Sequence, residues 1–421
     1  MSGPAARRRP VDVLVLRCAS TPGHRSSEAE LCSGLRSVGV DVASTTARYG
    51  LLGRLRVAQP LIDLIEAVAL RQATTRAMRT VAPRAIIYPT TLSTIFEPAS
   101  RLRIGAVRFD ALARDNRRAR RNILQRQLER RSLALAKLLL PWGARSIPLA
   151  LPGHAGPPAL VLPPPVEGAG FSAGLPARPP AGGAVQEPAE GRAEEPVGGP
   201  EGEPADAAGC GPGARDPVVV CYAGNPAKKG LDLVVGAWWR ASPPPRWRLV
   251  VTGIDGRAGD RYLRRHGLAR PAALSWRGPV APDEHRRLLS EAEVVVAASR
   301  YEDFGISQLE ALAAGAVLVT VPSGGPFEAL GLARQLSPGL VATAISADGL
   351  ALALRRALAM TGAERGAYRA RAAQLVSGYP RDAFLERLQR EVLPTLLGEG
   401  GVPGGWTRGR RRGAGRGPAG A

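Results

Sequence analysis

Lysine is nearly missing from this chain. Of 57 basic side chains in 421 residues, only Lys137, Lys228 and Lys229 are not arginine. Abundant Arg, Ala, Gly and Pro with scarce Lys is what a GC-rich coding sequence produces. The net charge of +21 is therefore discounted as a nucleic-acid signal, although it still favours anionic surfaces and substrates. Cysteine is also rare. Cys18, Cys32, Cys210 and Cys221 form no C-x-x-C pair and no zinc-finger spacing, so a disulfide scaffold is excluded and a reducing cytosol fits. No D-x-D motif occurs, and no His/Asp/Glu cluster has ligand spacing. We expect no metal and no cofactor. No run of about eighteen apolar residues exists, so nothing is expected to span a membrane. Arg7-Arg8-Arg9 before Val11–Leu16 faintly resembles a leader peptide. The apolar run is short, holds Asp12 and ends at Arg17, and reads better as a first strand.

What is present is alternation. Val11–Leu16, a helix over 27–38 and Val40–Ala43 make a β-α-β opening of doubly wound type. Helical spacing over 60–78 is followed by short apolar runs at 85–88 and 104–109. Residues 114–137 read as one long basic helix, and 138–142 and 159–162 as the last strands of a first domain. From Arg101 to Arg131 there are eleven arginines against three acids. A solvated helix face is one reading. Contact with an anionic membrane or a phosphorylated lipid acceptor is the other. Aromatics are not interleaved, so nucleic acid is not expected. Residues 168–216 are Gly, Ala, Pro and Glu with eight acids, a composition that cannot bury a core. The expected division is a first domain over 1–167, an acidic insert over 168–216 and a second domain over 217–380. A C-terminal helix over 381–399 and an arginine- and glycine-rich tail over 400–421 follow.

Two stretches of the second domain carry chemistry. In the first, the strand Val218–Tyr222 runs into Gly224-Asn225-Pro226-Ala227-Lys228-Lys229-Gly230 before a helix. A glycine turn after a strand, with lysine at a helix entry, suits a phosphate. Two of the three lysines sit here, in a chain that otherwise uses arginine. In the second, the strand 294–298 leads through Ser299-Arg300-Tyr301-Glu302-Asp303-Phe304-Gly305 into a helix from Ile306. Gly305 stands where free N–H groups and the positive helix end would face a ligand. Glu302 precedes the helix and Glu310 lies one turn inside it, so the two carboxylates can bracket a polyhydroxyl ligand. Two solvated glutamates are the plain alternative.

The second stretch, E-D-F-G-I-S-Q-L-E-A-L-A-A-G, resembles the E-x7-E signature of the GT-B retaining glycosyltransferases of family 4. The match covers Glu302, Phe304, Gly305, Glu310, Ala311, Ala313 and Gly315. Leu274–Val280 is similar to that family's strand and glycine turn beside the nucleotide base. Pro163–Glu167 is similar to the segment closing its first domain, and Gly324–Glu328 to its G-G-x-x-E loop. The resemblance implies an α/β GT-B fold: two Rossmann-like, doubly wound domains facing each other across a cleft, the last helix crossing back onto the first domain. It implies metal-independent transfer of a sugar from a nucleotide diphosphate sugar to an acceptor hydroxyl, with retention. Lys229 would stabilise the departing diphosphate and Glu302 hold the donor sugar, as the catalytic pair. Glu310 would take the ribose, and Gly278 and Val280 the base. Gly224, Asn225, Lys228, Phe304, Gly305 and Ile306 would complete the donor site. The family's phosphate-binding arginine is replaced by Asn225, and Lys228 is the candidate substitute. His24, after the first strand, is a candidate on the acceptor side. A cytoplasmic protein is expected, with peripheral contact at the inner membrane face left open. Two other readings stay open: another GT-B enzyme such as a sugar-nucleotide epimerase, and a non-catalytic basic binding protein.

Overall fold

The computed structural model describes residues 8–18, 22–50, 61–116, 119–147, 156–166 and 216–398. Residues 168–215 of the expected acidic insert, and the tail, lie outside the described residues. Ten strands form two parallel sheets of five. In the first, β1 (Arg9–Arg17), β2 (Val42–Thr46), β3 (Val81–Tyr88), β4 (Gly105–Phe109) and β5 (Leu138–Pro141) are ordered β2-β1-β3-β4-β5. In the second, β6 (Val218–Tyr222), β7 (Arg248–Thr252), β8 (Leu274–Gly278), β9 (Val294–Ala297) and β10 (Val317–Thr320) are ordered β10-β9-β6-β7-β8. Helices cover both faces of both sheets. The strands are accordingly continuous apolar runs rather than alternating ones; Leu138–Pro141 and Val317–Thr320 are buried at every position.

The order of the second sheet reverses at β6, which pairs with β7 on one side and β9 on the other. Ligands of such sheets bind beyond the strand ends at this reversal. The loops leaving β6 and β9 are the two stretches singled out by sequence, so the topology places them together. The first sheet reverses at β1, whose loop leads to His24.

The last helical run, Arg381–Leu397, lies against the first domain. Phe384, Leu388, Val392, Leu393 and Leu396 are buried in one cluster with Val13, Val15, Leu31, Leu35, Ala85 and Ile87. Its final carbonyls receive cations from that domain: Lys137 Nζ donates to Leu396 O at 2.7 Å and an Arg84 N–H to Leu397 O at 3.2 Å. Both satisfy groups that a helix end leaves open and match its negative pole.

Two expectations change. The basic stretch 114–137 is not one helix: Ala113–Asn116, a 3-10 turn Arg120–Asn122 and Ile123–Leu135 are separate pieces. Glu129 explains the break, because its buried carboxylate accepts from Ala113 N at 2.9 Å and so folds the short helix back over the longer one. Residues 159–162 make no strand. They still run beside β5, with an isolated bridge joining Ala159 to Leu139 and with Leu160 N and Leu162 N donating to Leu139 O and Pro141 O at 2.9 Å, but the prolines at 158 and 163–165 lack the N–H groups to extend the ladder.

Candidate active site between the two sheets

The loop after β6 is held by its own side chains. Asn225 caps the short helix Pro226–Lys229, its Oδ1 accepting from Lys228 N at 3.0 Å. The residue that departs from the family pattern thus has a local job, and Asn is a favoured N-cap where Arg is not. Gly230 closes the turn at φ 65°, and a Cβ there would stand 2.1 Å from Ala298 O, the end of β9. That close approach fixes the two loops against one another. Arg300 N–H donates to Lys228 O at 2.9 Å, and the Arg300 guanidinium forks onto Asp232 at 2.6 and 3.1 Å.

Lys229 reaches across this junction to Glu302, with Nζ 2.7 Å from Oε2. The same oxygen accepts from Ser299 Oγ at 2.9 Å and from Gln308 Nε2 at 3.4 Å. Glu302 is 7% exposed. Burial alone would raise its pKa, but Lys229, with Ser299 and Lys228, outweighs it and holds the carboxyl below its ordinary value. Glu302 is therefore an anchored carboxylate rather than a proton donor. Lys228 points instead to Asp303, 3.2 Å from Oδ2. Burial disfavours the Lys228 charge, yet Asp303 and Glu302 together raise its pKa.

Gly305 starts the helix Ile306–Ala313 at φ 92°, and a Cβ would meet Phe327 Cε2 at 2.5 Å. Phe304 beside it is buried, its ring edge-on to Trp142 of the first domain at 5.7 Å. It fastens the two domains rather than facing open space. Glu310, partly exposed on the helix, lies 4.0 Å from His285 Nε2, and His285 in turn sits 6.1 Å from the Tyr222 ring. A cavity opens there, lined by Tyr222, Lys229, His285, Ser299, Ser307 and Gln308. It takes in Lys229 and adjoins Glu302 and Glu310. Gly278 ends β8 at φ 66°, its carbonyl accepting from Gly253 N at 2.7 Å, with Val280 half-buried beyond. Gly224 lies against the Tyr222 ring, where a Cβ would clash with the hydroxyl.

The first domain closes the opposite wall. A Cβ built on Gly23, at the start of the helix Pro22–Ser37, would stand 3.6 Å from Ile306 Cδ1, so two helix N-termini come close across the cleft. His24 is mostly buried, its Nε2 3.4 Å from Asp110 at the end of β4 and its ring tilted 5.4 Å from Trp142. Burial would lower the His24 pKa, but Asp110 and Glu28 raise it overall. Asn116 extends to Asp303 at 3.5 Å. Burial and the facing Asp110 together lift the Asp303 carboxyl above its usual range. Ser299, Gln308, His285, Asp110 and Asn116 were not expected from sequence. The signal for Ser299 was its place three residues before Glu302. Asp110 sits just beyond a strand's carboxyl end, but no local pattern marks it. Among the described residues, Cys18, His24 and Glu28 are the group able to hold a metal ion, with ligand atoms within 4.8 Å of one another. Glu28 there already accepts from Cys18 N at 2.9 Å and Cys18 Sγ at 3.0 Å.

Residues 216–360 match the family model of the group 1 glycosyl transferases. The matched segment holds both loops, Glu302 and Glu310. No curated protein matches the chain in sequence. Solved structures do match in fold. Sucrose-phosphate synthase from Thermosynechococcus elongatus superposes with a TM-score of 0.64 at 16% identity, over 90% of this chain and 97% of that one. HepE from Anabaena, solved with UDP and glucose, has a TM-score of 0.58 at 14% identity, over 91% and 99%. A trehalose-6-phosphate protein from E. coli, bound with UDP-2-fluoro glucose, has a TM-score of 0.58 at 12% identity, over 89% and 97%. The architecture is the two-domain α/β GT-B fold of glycosyltransferases.

Proposed function

We propose that this protein is a retaining glycosyltransferase that moves a sugar from a nucleotide diphosphate sugar to an acceptor hydroxyl. The observation that carries the reading is the Lys229–Glu302 pair at the sheet reversal, beside a cavity and the amino end of the Ile306–Ala313 helix. The transition state of such a transfer separates a cationic sugar from a diphosphate. Growing negative charge on the diphosphate calls for donors already in place. Lys229 has N–H groups beyond the one on Glu302, and the helix start adds backbone N–H groups and its positive pole. Glu302, kept ionised by its three donors, accepts hydroxyls of the donor sugar. Glu310 takes the ribose, and Gly278 and Val280 line the base. His24, set by Asp110, faces the acceptor side. Lys228, held at Asp303 beside Lys229, is the cation we assign to the role that Asn225 leaves open. The similar structures that hold UDP or a UDP sugar make a uridine nucleotide the first donor to try.

The test is calorimetric binding of UDP and UDP-glucose by the full chain and by Glu310→Gln and Lys229→Ala. We expect each variant to lose at least about tenfold in affinity, the size of one charged hydrogen bond. Unchanged affinity in both would remove these residues from the donor site. Incubating labelled donor without acceptor separates transfer from epimerisation, since only an epimerase alters the sugar there.

A further inference from the structure

The helix Ile123–Leu135 uses its inner side fully. Glu129 and Leu133 are buried, and Gln125 donates to Asp63 at 2.9 Å. Its outer side is of another kind. Ile123, Leu124, Gln127, Arg130, Arg131 and Ala134 recur at spacings of three and four, so they share one face, and all are exposed. Leu124 is 66% and Ile123 46% exposed, adjacent members of a short set of large exposed hydrophobics among the described residues. Arg120 and Arg121 stand exposed just ahead of them. Among the described residues, none of Arg120, Arg121, Arg130 and Arg131 forms an ion pair, and the face holds no acid. A solvated helix face usually intersperses charges of both signs, whereas this one sets two adjacent large aliphatic residues among arginines alone. Aliphatic side chains and unpaired arginines on one helix face are the composition of an interfacial segment. Asn116, which ends the preceding short helix, reaches Asp303 of the second domain, so this part of the first domain adjoins the cleft.

We propose that this face docks the protein on an anionic lipid surface, with Ile123 and Leu124 entering the headgroup layer and the arginines meeting lipid phosphates. Docking there would hold the cleft beside the membrane. The proposal does not depend on sugar transfer. Nucleic acid is the less fitting partner, because the face offers no aromatic ring for base stacking.

Vesicle flotation of the full chain tests it, using phosphatidylcholine vesicles with and without phosphatidylglycerol. The protein should float only with the anionic vesicles. Ile123→Ser with Leu124→Ser, and separately Arg130→Gln with Arg131→Gln, should each lower the bound fraction about fivefold or more, as expected for an interface that combines apolar and ionic terms. All four positions are exposed, so melting temperature and nucleotide-sugar binding should stay unchanged; either double variant keeps the test valid if the other folds poorly. Undiminished flotation in both variants would place binding elsewhere, the arginine-rich tail included, and overturn the proposal. So would failure to float, accompanied by binding of a single-stranded oligonucleotide that these variants abolish.

Discussion

At the scale of single residues, the three lysines mark three points of contact. Lys137 caps the last helix, Lys228 meets Asp303 and Lys229 meets Glu302. The Lys229–Glu302 pair is largely buried, and removing one member leaves the other charge stranded. Lys229→Met should cost about 3–5 kcal/mol of stability in chemical unfolding, and adding Glu302→Gln should recover much of it. Activity should stay lost in both, because stability and transfer use the pair differently. The His24–Asp110 contact predicts a pH effect. The folded-state pKa of His24 is raised from 6.5, so the stability it contributes is complete below about pH 6.5 and is lost as pH rises through the higher folded value. Stability measured across that window should decline in the native protein and stay flat in Asp110→Asn. Lys229 and Glu302 were legible in the sequence, because residue types and glycine turns marked them. The part played by Asn225 was not, because a cap is defined by backbone geometry.

At the scale of elements, Gly305 decides where the helix Ile306–Ala313 begins. Its left-handed backbone costs other residues about 1–2 kcal/mol, and the contact with Phe327 adds overpacking of about 1–3 kcal/mol. Gly305→Ala should therefore lower stability by roughly 2–5 kcal/mol in urea unfolding, and should weaken donor binding by displacing Glu302 and the helix start together. The strands of both sheets were readable because parallel strands buried on both faces are plain apolar runs. Residues 114–137 misled for a physical reason. Each piece has helical composition, and the bend depends on Glu129 meeting Ala113, a contact that periodicity cannot show.

At the scale of the whole molecule, the last helix stands in the core of the domain the chain left much earlier. Phe384→Ala should cost about 3–5 kcal/mol. Because that side chain packs in the first-domain cluster, the loss should appear in melting of that domain, followed by differential scanning calorimetry. The second domain should melt nearly as before. A single transition shifted as a unit would mean instead that the Phe304–Trp142 and Val166–Tyr379 contacts make both domains one cooperative body.

By itself the sequence determined the alternating α/β class and the two glycine-turn loops at strand ends, with Lys229, Glu302, Gly305 and Glu310 in or beside them. Strand burial, glycine turns and helix starts are local properties, written in neighbouring residues. Only the tertiary structure decided that the Lys229 ammonium is tied to Glu302, that Asn225 caps its own turn, and that His24, Asp110, Asn116 and Asp303 converge from distant segments. It also decided which face of the basic helix is left bare. Those facts come from strand order and from the approach of two domains, and neither is encoded in any short window of the chain.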